Sequence, residues 1–310
     1  MKIQTFSIVA GTRACNAHCR FCVSKMTGFQ EIEGGGRHIN ERNFYKAVAL
    51  AERAGTTTVL LTGKGEPTLY PEEITRYLEL LGQRPFPLVE LQTNALTMGW
   101  LGRDGHSHAA LTAEHLRAWY DLGLDTIAIS VVDVERSANA KVYHDDYPDL
   151  GQTIGFLKSF GFSIRLCVMM QRGMVDSAKR LGDVVHFCQT HRVEQLTVRP
   201  IRRPEESLSA EAAAYVEQHG LSDAEVDRLH RWVQERGTQL LTLMHGARVY
   251  DVVGQNVCIS DCLTVEPTSD AIRTLIFYSD GRIAYDWQYD GAVLLGGRES
   301  AGDRTAPGRE

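Results

Sequence analysis

A repeated alternation of amphipathic stretches and short β-branched runs is the feature that most constrains the fold of this chain. An amphipathic stretch precedes each apolar run, as in RNFYKAVALAERAG before TTTVLLTG and AEHLRAWYDLG before TIAISVV. Such runs are typical of buried parallel strands, and the stretches between them are typical of covering helices. With a first strand at TFSIV, the pattern predicts six strands that alternate with helices. Six units are too few for a closed eight-stranded barrel, so the predicted fold class is α/β with an open, partial (β/α)6 barrel.

The pattern changes after Pro204 and predicts a C-terminal α+β extension. Two stretches, PEESLSAEAAAYVEQHG and LSDAEVDRLHRWVQERG, indicate surface helices, the second with a capping box at Ser222 and Glu225. AIRTLIFYSDGRIAYDW predicts a hairpin, because two alternating runs flank a Ser-Asp-Gly turn. The tail is polar and glycine-rich, which is typical of disorder. The predicted divisions are a partial barrel at 1–205, a helical connection at 206–247, a hairpin region at 248–295 and a disordered tail at 296–310.

Charge and cysteine content argue against several classes of protein. The 310 residues carry a net charge of -6, which disfavours a general nucleic-acid binder. No apolar run reaches the roughly 18 residues that span a bilayer. The first residues, MKIQTFSIVAGTRAC, do not have the pattern of a signal peptide. Seven cysteines without an export signal favour reduced thiols or metal ligands over disulfides, so we expect a cytoplasmic protein.

Three of these cysteines lie close together in TRACNAHCRFCVSK, directly after the first predicted strand. Clustered thiolates are soft ligands that suit zinc or an iron–sulfur cluster. Structural zinc usually takes four protein ligands, commonly as two separated pairs, whereas Cys15, Cys19 and Cys22 form one triplet. A triplet without a fourth partner suits a [4Fe–4S] cluster that leaves one iron open for chemistry. The alternative is three unrelated buried cysteines, although this polar loop does not need them for packing.

The spacing C-x-x-x-C-x-F-C of residues 15–22 resembles the signature of the radical S-adenosylmethionine (SAM) superfamily. TGKGEPTL, after the second predicted strand, is similar to the Gly-Glu-Pro motif of that family, with Lys64 as a departure from its glycine pattern. QTNA after the third strand resembles the family's Thr-Asn-Gly, with Ala95 in place of glycine, and SVVD follows the fourth strand. The resemblance covers about the first two-thirds of the chain.

This resemblance implies an enzyme in which Cys15, Cys19 and Cys22 hold the cluster and SAM binds at the open iron. The cluster would cleave SAM reductively to methionine and a 5′-deoxyadenosyl radical, which would abstract a hydrogen atom from the substrate. An electron donor such as flavodoxin or ferredoxin is implied as a partner.

The resemblance also implies which residues contact SAM. Gly63 and Gly65 would let the backbone approach the methionine ammonium, and Glu66 would help to neutralise it. Arg165 on the fifth strand and Arg199 at the end of the sixth compete for the methionine carboxylate, because a guanidinium can bind it with two hydrogen bonds. Either arginine could instead pair with protein groups. The remaining predicted cofactor-binding residues are Phe21, packed near the adenine, and the strand-end residues Thr93, Asn94 and Ser130.

A second cysteine pair, Cys258 and Cys262, precedes the predicted hairpin. The setting resembles the auxiliary-cluster region of molybdopterin-precursor cyclases and of SPASM/twitch radical SAM enzymes, but Asp286 or a neighbour stands where the next cysteine would be. Three interpretations stay open. The pair and Asp286 could hold an auxiliary iron–sulfur cluster. One thiol could donate a hydrogen atom to a substrate radical, or the pair could be packed and inert.

The predicted substrate is a small molecule of a biosynthetic route. VRPIRRPEE, past the sixth strand, offers arginines that suit an anionic substrate, although the same arginines could pair with Glu205 and Glu206. Modification of a peptide or protein is the first alternative. A non-catalytic metal-binding or sensing module is the second. Neither a membrane nor a nucleic acid is an expected partner.

Overall fold

The fold consists of one large sheet covered by helices, in a computed structural model that describes residues 2–27, 39–82, 84, 86–106, 109–243, 246–260 and 271–297. The strands are β1 Lys2–Val9, β2 Thr58–Thr62, β3 Leu88–Thr93, β4 Thr126–Val131, β5 Ser163–Met170, β6 Gln195–Pro200, β7 Gly237–Thr242, β8 Arg248–Val252, β9 Gln255–Ile259, β10 Ala271–Tyr278, β11 Ile283–Ala284 and β12 Val293–Leu295. The helices are α1 Val23–Met26, α2 Glu41–Arg53, α3 Pro71–Gly82, α4 Leu96–Asp104, α5 Ala113–Asp121, α6 Arg136–Val142, α7 Leu150–Lys158, α8 Ala178–Thr190, α9 Ala210–His219 and α10 Asp223–Arg236. A short 3-10 helix, Pro67–Leu69, precedes α3.

Eight strands run parallel, in the order β10-β1-β2-β3-β4-β5-β6-β9. The six strands β1 to β6 are the predicted alternating units, and β9 and β10 extend the run at its two edges. Among the described strands, hydrogen bonding ends at β12 on one side and at β7 on the other, so the sheet stays open. The predicted α/β class, with an open partial barrel and a C-terminal α+β extension, is confirmed.

Alternation along the parallel strands gives the sheet an apolar outer face and a more polar inner face. On β5, Ile164, Leu166 and Val168 join the large core that the helices cover. Because successive side chains of a strand point to opposite faces, Arg165 and Cys167 point inward. The same alternation places core residues outward on the neighbouring strands: Val59, Leu61, Val89, Leu91, Ile127, Ile129, Leu196, Val198, Val257 and Ile259. We call the space on the inner face of β2 to β6 and β9 the lumen.

The C-terminal residues do more than form the predicted hairpin. That hairpin is present as β10 and β11, with the Gly281 N–H donating to the Tyr278 carbonyl in the turn. Its first strand also pairs with β1, which the alternating pattern did not predict. A second hairpin joins β8 to β9 through Val253 and Gly254, both at positive φ (54° and 84°), as in a type I′ turn.

The stretch 206–247 contains the two predicted helices, and the capping box of Ser222 and Glu225 is confirmed. It also contains β7, because Gly237–Thr242 pairs with the edge of β8. The division into 1–205, 206–247, 248–295 and 296–310 stays a prediction, and residues 298–310 lie outside the described part of the chain. None of the described helices combines the length and the apolar character needed to cross a membrane.

Candidate active site

The three clustered cysteines lie in the loop between β1 and α1, at the carboxyl edge of the parallel strands. Cys15 is exposed, whereas Cys19 and Cys22 are half-buried. Burial raises the pKa of the Cys19 thiol, and the neighbouring Cys22 and Cys15 groups raise it further. The three thiols therefore lie within electrostatic reach of one another. A shared cationic centre relieves their mutual repulsion, and three soft donors fit an iron–sulfur cluster.

The three cysteines are not grouped as the ligands of one metal ion would be. Within the described residues, no three His, Cys, Asp or Glu side chains are grouped so that they could hold one metal ion. A [4Fe–4S] cluster distributes its thiolate ligands over different irons, so these ligands lie farther apart than the ligands of a single ion. Three thiols that each bind a different iron of a cluster are compatible with this arrangement.

Gly65 brings the Gly-Glu-Pro loop against the cysteine loop. A Cβ at this position would lie 2.1 Å from the Ala14 carbonyl oxygen, so only glycine fits there. The contact continues at Glu66, whose N–H donates to the same carbonyl at 2.9 Å. Gly63 is less constrained, because a Cβ there would meet its nearest neighbours at 3.1 Å. The loop after β2 thereby fixes the backbone immediately before Cys15.

The Glu66 carboxylate is buried and ties the loop after β2 to the end of β3. Its Oε1 accepts hydrogen bonds from the Thr68 N–H at 3.1 Å, the Thr68 hydroxyl at 2.7 Å and the Thr93 hydroxyl at 2.6 Å. Its Oε2 accepts from the Asn94 N–H at 2.9 Å. Burial raises the pKa of Glu66, and these donors oppose the rise. Because a carboxylate offers about four lone pairs, Oε2 keeps one for a further donor. The contact with the SAM ammonium stays a prediction for that oxygen.

Asn94 connects the end of β3 to the cysteine loop. Its Nδ2 donates to the Asn16 Oδ1 at 2.8 Å and lies 3.8 Å from the Cys15 Sγ. Its Oδ1 accepts from the Leu96 N–H at 2.9 Å, which fixes the amide orientation. Asn94 is therefore held beside the first predicted ligand.

Thr93 and Ser130, two other residues predicted to contact SAM, are placed differently. The Thr93 hydroxyl donates to Glu66 and accepts from the Ala95 N–H at 2.8 Å, so groups of the protein satisfy it. Ser130 lies on the inner face of β4, in register with Cys167 of β5. Thr93 thus positions Glu66, whereas the Ser130 hydroxyl faces the lumen; the contacts of both with SAM stay predictions.

Phe21 and α9 cover the cysteine loop. Phe21 packs against an apolar cluster that includes Met26 of α1 and Val216 of α9. Its ring centre lies 6.5 Å from that of Tyr215, also on α9. The extension after residue 205 therefore contacts the loop that carries the cysteines. A contact between Phe21 and the adenine stays a prediction.

Lys64, which departs from the glycine pattern of the family, is a buried cation beside the cysteine loop. Its Nζ donates to the Thr27 hydroxyl at 3.3 Å and lies 5.3 Å from the centre of the Trp287 ring. Burial, with a smaller contribution from the charge of Arg13, lowers the pKa of Lys64 to about 8. Sequence reasoning did not assign this residue a role. Its position inside the Gly-x-Gly-Glu-Pro segment is the sequence signal that could have identified Lys64 as a residue of the site.

The two arginines predicted for the methionine carboxylate lie at different depths of the lumen. Arg165 forms an ion pair with Glu90 of β3, a residue that the sequence analysis did not single out although it interrupts an apolar strand. Arg199 is in register with Met169, which packs against the same apolar cluster as Cys19. Arg165 precedes Met169 by four residues, which corresponds to about 13 Å along a strand. Arg199 is therefore nearer to the level of the cysteine loop, and Arg165 lies deeper.

The second cysteine pair is only partly described. Cys258 is half-buried on the inner face of β9, and Cys262 lies outside the described residues. Asp286 follows β11, and its Oδ1 accepts from the Gln288 N–H at 2.7 Å. β9 is one edge of the parallel run and β11 lies beyond its other edge, and no metal-holding group joins Cys258 to Asp286 within the described residues. The auxiliary cluster stays a prediction, as do the roles of hydrogen donor and of inert pair.

Glu73, on α3, is a buried carboxyl group that holds the start of the cysteine loop. Its Oε2 accepts a hydrogen bond from the Gly11 N–H at 3.1 Å. Burial raises the pKa of Glu73 to about 7, and the hydrogen bond from Gly11 opposes the rise. A group whose pKa is raised in the folded state stabilises the fold in its protonated form.

We therefore expect Glu73 to contribute stability below pH 4.5, and this contribution to be lost as the pH rises through about 7. The loss amounts to up to about 3 kcal/mol of unfolding free energy. Urea unfolding from about pH 4 to about pH 8 measures it as the difference between the wild type and Glu73→Gln, which keeps an acceptor for Gly11 but cannot ionise. Equal pH slopes in the two proteins would contradict this prediction.

Comparisons with known proteins agree with this arrangement. The family model of the Radical SAM superfamily matches residues 9–177. SuiB from Streptococcus suis, bound to S-adenosylmethionine, has a TM-score of 0.58 and 13% identity, over 91% of this chain and 58% of that one. SuiB bound to its precursor peptide SuiA has a TM-score of 0.60 and 14% identity, over 91% of this chain and 59% of the SuiB chain. The structure of anSMEcpe with bound AdoMet has a TM-score of 0.59 and 14% identity, over 94% of this chain and 77% of the anSMEcpe chain.

At these identities the structural likeness shows the fold, and this chain spans 58% to 59% of the length of the SuiB chains. No curated protein matches it. The family model, in contrast, covers more than half of the chain, including the cysteine loop and the strand ends around it. Proteins of this family use SAM and a [4Fe–4S] cluster, which fits the three thiols and the glycine contact beside them. The chain belongs to the radical SAM superfamily.

Proposed function

We propose that this chain is a radical SAM enzyme that acts on a small anionic molecule of a biosynthetic route. Cys15, Cys19 and Cys22 would hold the [4Fe–4S] cluster. The observation that carries the proposal is the close approach of Gly65 to the Ala14 carbonyl, because it joins the Gly-Glu-Pro loop to the cysteine loop. Both motifs of the family thus meet at one place.

The chain's own residues prepare this site. When bound, the cluster supplies the electron that cleaves SAM to methionine and a 5′-deoxyadenosyl radical, which abstracts hydrogen from the substrate. Glu66 holds the ends of β2 and β3 in one arrangement and leaves a lone pair on Oε2 for the methionine ammonium. Asn94 steadies the loop at Cys15. Ser130 presents a hydroxyl from the lumen wall, where the methionine carboxylate needs donors.

The cysteine loop also offers a surface for an electron donor. Residues 12–27 include Arg13, Arg20 and Lys25 but no aspartate or glutamate, and all three cations are exposed. Complementary charge accelerates the encounter of two proteins. An acidic carrier such as flavodoxin or ferredoxin fits this surface. We place the reaction in the cytoplasm, where reduced thiols persist.

The charge of the lumen favours a small anion over the alternative of a peptide or protein substrate. On the inner face of β2 to β6 and β9, two arginines outnumber one glutamate, and the other inward side chains are uncharged. The peptide bound to SuiB is a property of SuiB. A non-catalytic metal-binding or sensing module would need no Gly-Glu-Pro loop beside its thiols.

Anaerobic reconstitution with iron and sulfide tests the proposal. We expect a brown protein that converts SAM and dithionite to 5′-deoxyadenosine, measured by liquid chromatography. A zinc-containing, colourless protein, or a cluster that leaves SAM intact, would contradict it. Fractions of a cell extract separate the substrate classes: a low-molecular-weight filtrate should increase 5′-deoxyadenosine formation, whereas an increase with the macromolecular fraction alone would support the peptide alternative.

A further inference from the structure

Three charged side chains point into the lumen from β2 to β6 and β9. They are Glu90 of β3, Arg165 of β5 and Arg199 of β6. The remaining inward positions of these strands carry hydroxyl, amide, thiol or apolar groups. Two positive charges and one negative charge leave an excess of one positive charge on this face of the sheet. Such an excess favours an anionic ligand, because the electric field of these charges is only weakly screened away from bulk water.

Arg165 is held in place by its ion pair with Glu90. The pair spans β4, where the inward residues Thr126 and Ala128 are small. The Arg165 side chain keeps 23% of its surface exposed, and its Nε is buried without a hydrogen-bond partner in the described residues. Glu90 therefore orients the guanidinium and leaves donors for a second acceptor.

Arg199 has a stronger need for an acceptor. Its Nε is also buried without a hydrogen-bond partner, and within the described residues its guanidinium makes no hydrogen bond or ion pair. Its positive charge favours the ionised forms of Glu90 and of the Cys258 thiol, which also face the lumen. An arginine cannot lose its proton to relieve burial, so an unpaired guanidinium calls for an anion.

Cys258 lies beside both arginines. It is in register with Thr197 of β6, which is in register with Cys167 of β5, so all three face the lumen in one row. The charges of Arg165 and Arg199 both act on its thiol. This row lies between the level of Arg165 and the level of Arg199, which places the thiol next to any group that bridges the two guanidinium groups.

We propose that Arg165 and Arg199 form a subsite for an oxyanion of the substrate, a carboxylate or a phosphate, beside Cys258. The inference rests on the proposed function and specifies its substrate class. Arg165 lies about 13 Å below Met169 along β5, and the row of Cys258 and Thr197 lies two residues, or about 7 Å, below Arg199. The space between the two guanidinium groups therefore lies below the cysteine loop, where the methionine carboxylate must lie. A ligand anchored here extends upward through the lumen towards SAM.

Protection of Cys258 from alkylation tests the subsite on the reconstituted holoenzyme. Inorganic phosphate and succinate serve as separate probes, each with and without SAM. Iodoacetamide labelling of Cys258 is followed by peptide mass spectrometry. We expect at least one probe to slow labelling, by roughly tenfold at about ten times its Kd. Phosphate alone, succinate alone or both would each support the subsite and would identify the group that it takes.

Variants establish which residues bind the anion. Arg199→Gln should weaken the effective probe by roughly 10- to 100-fold, the usual effect of losing a charged hydrogen bond. Arg165→Gln alone would leave the Glu90 carboxylate buried without its ion-pair partner. The double variant Arg165→Gln, Glu90→Gln is therefore measured beside it, because it removes both charges of the pair. The matched control is Arg53→Gln, at the exposed end of α2. In this variant the probes should protect Cys258 as they do in the wild type.

Three results would overturn the subsite. The first is that neither probe protects Cys258 from labelling, and the second is that protection by the probes is unchanged in Arg199→Gln. The third is that SAM alone gives full protection and the probes add nothing to it. That third result would identify the methionine carboxylate as the occupant. The proposed function is judged separately by 5′-deoxyadenosine formation. A wild type that cleaves SAM without anion protection refutes the subsite alone, whereas anion protection without SAM cleavage refutes the proposed function alone.

Discussion

Replacing Cys19 with alanine should remove the [4Fe–4S] cluster and lower 5′-deoxyadenosine formation by more than about 100-fold. Changes to residues outside the ligand set of a metal site typically cost roughly 10- to 100-fold, and loss of a ligand costs more. The thiol is half-buried in a loop and not in the main core, so the fold should persist. Iron content, the visible absorption of the reconstituted protein and the assay for 5′-deoxyadenosine measure the effect.

Cys188→Ala provides the matched control for Cys19→Ala. Cys188 is fully buried in α8 and belongs to the large apolar core, away from the cysteine loop. Its replacement should lower the urea midpoint slightly while iron content stays at the wild-type level. If Cys19→Ala also retained its iron and its SAM cleavage, the assignment of the three ligands would be wrong.

Gly65→Ala should damage the site by displacing the backbone of the cysteine loop. The added methyl group would lie 2.1 Å from the Ala14 oxygen and 2.7 Å from the Thr12 oxygen, and both are main-chain atoms that cannot rotate away. We expect a loss of about 1 to 3 kcal/mol in the free energy of unfolding. Since a misplacement of about 1 Å can cost roughly 100-fold in rate, 5′-deoxyadenosine formation should fall by a similar factor.

Gly82→Ala is the control for Gly65→Ala. Gly82 ends α3, and a Cβ there would meet no atom within 4 Å. Alanine should therefore stabilise the helix by roughly 0.5 to 1 kcal/mol and leave iron content unchanged. Urea unfolding and iron analysis compare both variants with the wild type. Equal behaviour of the two glycine variants would show that the close contact at residue 65 does not constrain the loop.

Local patterns in the sequence were sufficient to predict the six alternating strands and the open sheet. Each of these strands has its signal within a few residues, as a short β-branched run between two amphipathic stretches. The places of β9 and β10 had no such signal. β10 alternates like an ordinary hairpin strand, and its pairing with β1 joins residues as distant in sequence as Lys2 and Ala271. No neighbouring residue in the chain carries that information.

The candidate site divides in the same way. The cysteine triplet and the Gly-Glu-Pro segment have fixed spacings, so the sequence located them. The roles of Arg165 and Arg199 depend on register between strands, and the sequence could only offer them as equal candidates. Glu90 was overlooked because its partner is 75 residues away and across an intervening strand. Buried polar partners of this kind become visible only when the strand order is known.

The pairing of β1 with β10 has a consequence for how this chain is made. The ribosome releases β1 long before β10, the strand that pairs with its outer edge, because most of the described chain lies between the two. During translation that edge offers unpaired amide and carbonyl groups to any passing strand. The loop that follows β1 carries the three clustered thiols, so the nascent chain holds this cysteine-rich segment next to an unpaired strand edge. Metal insertion is therefore best served after β10 has paired with β1.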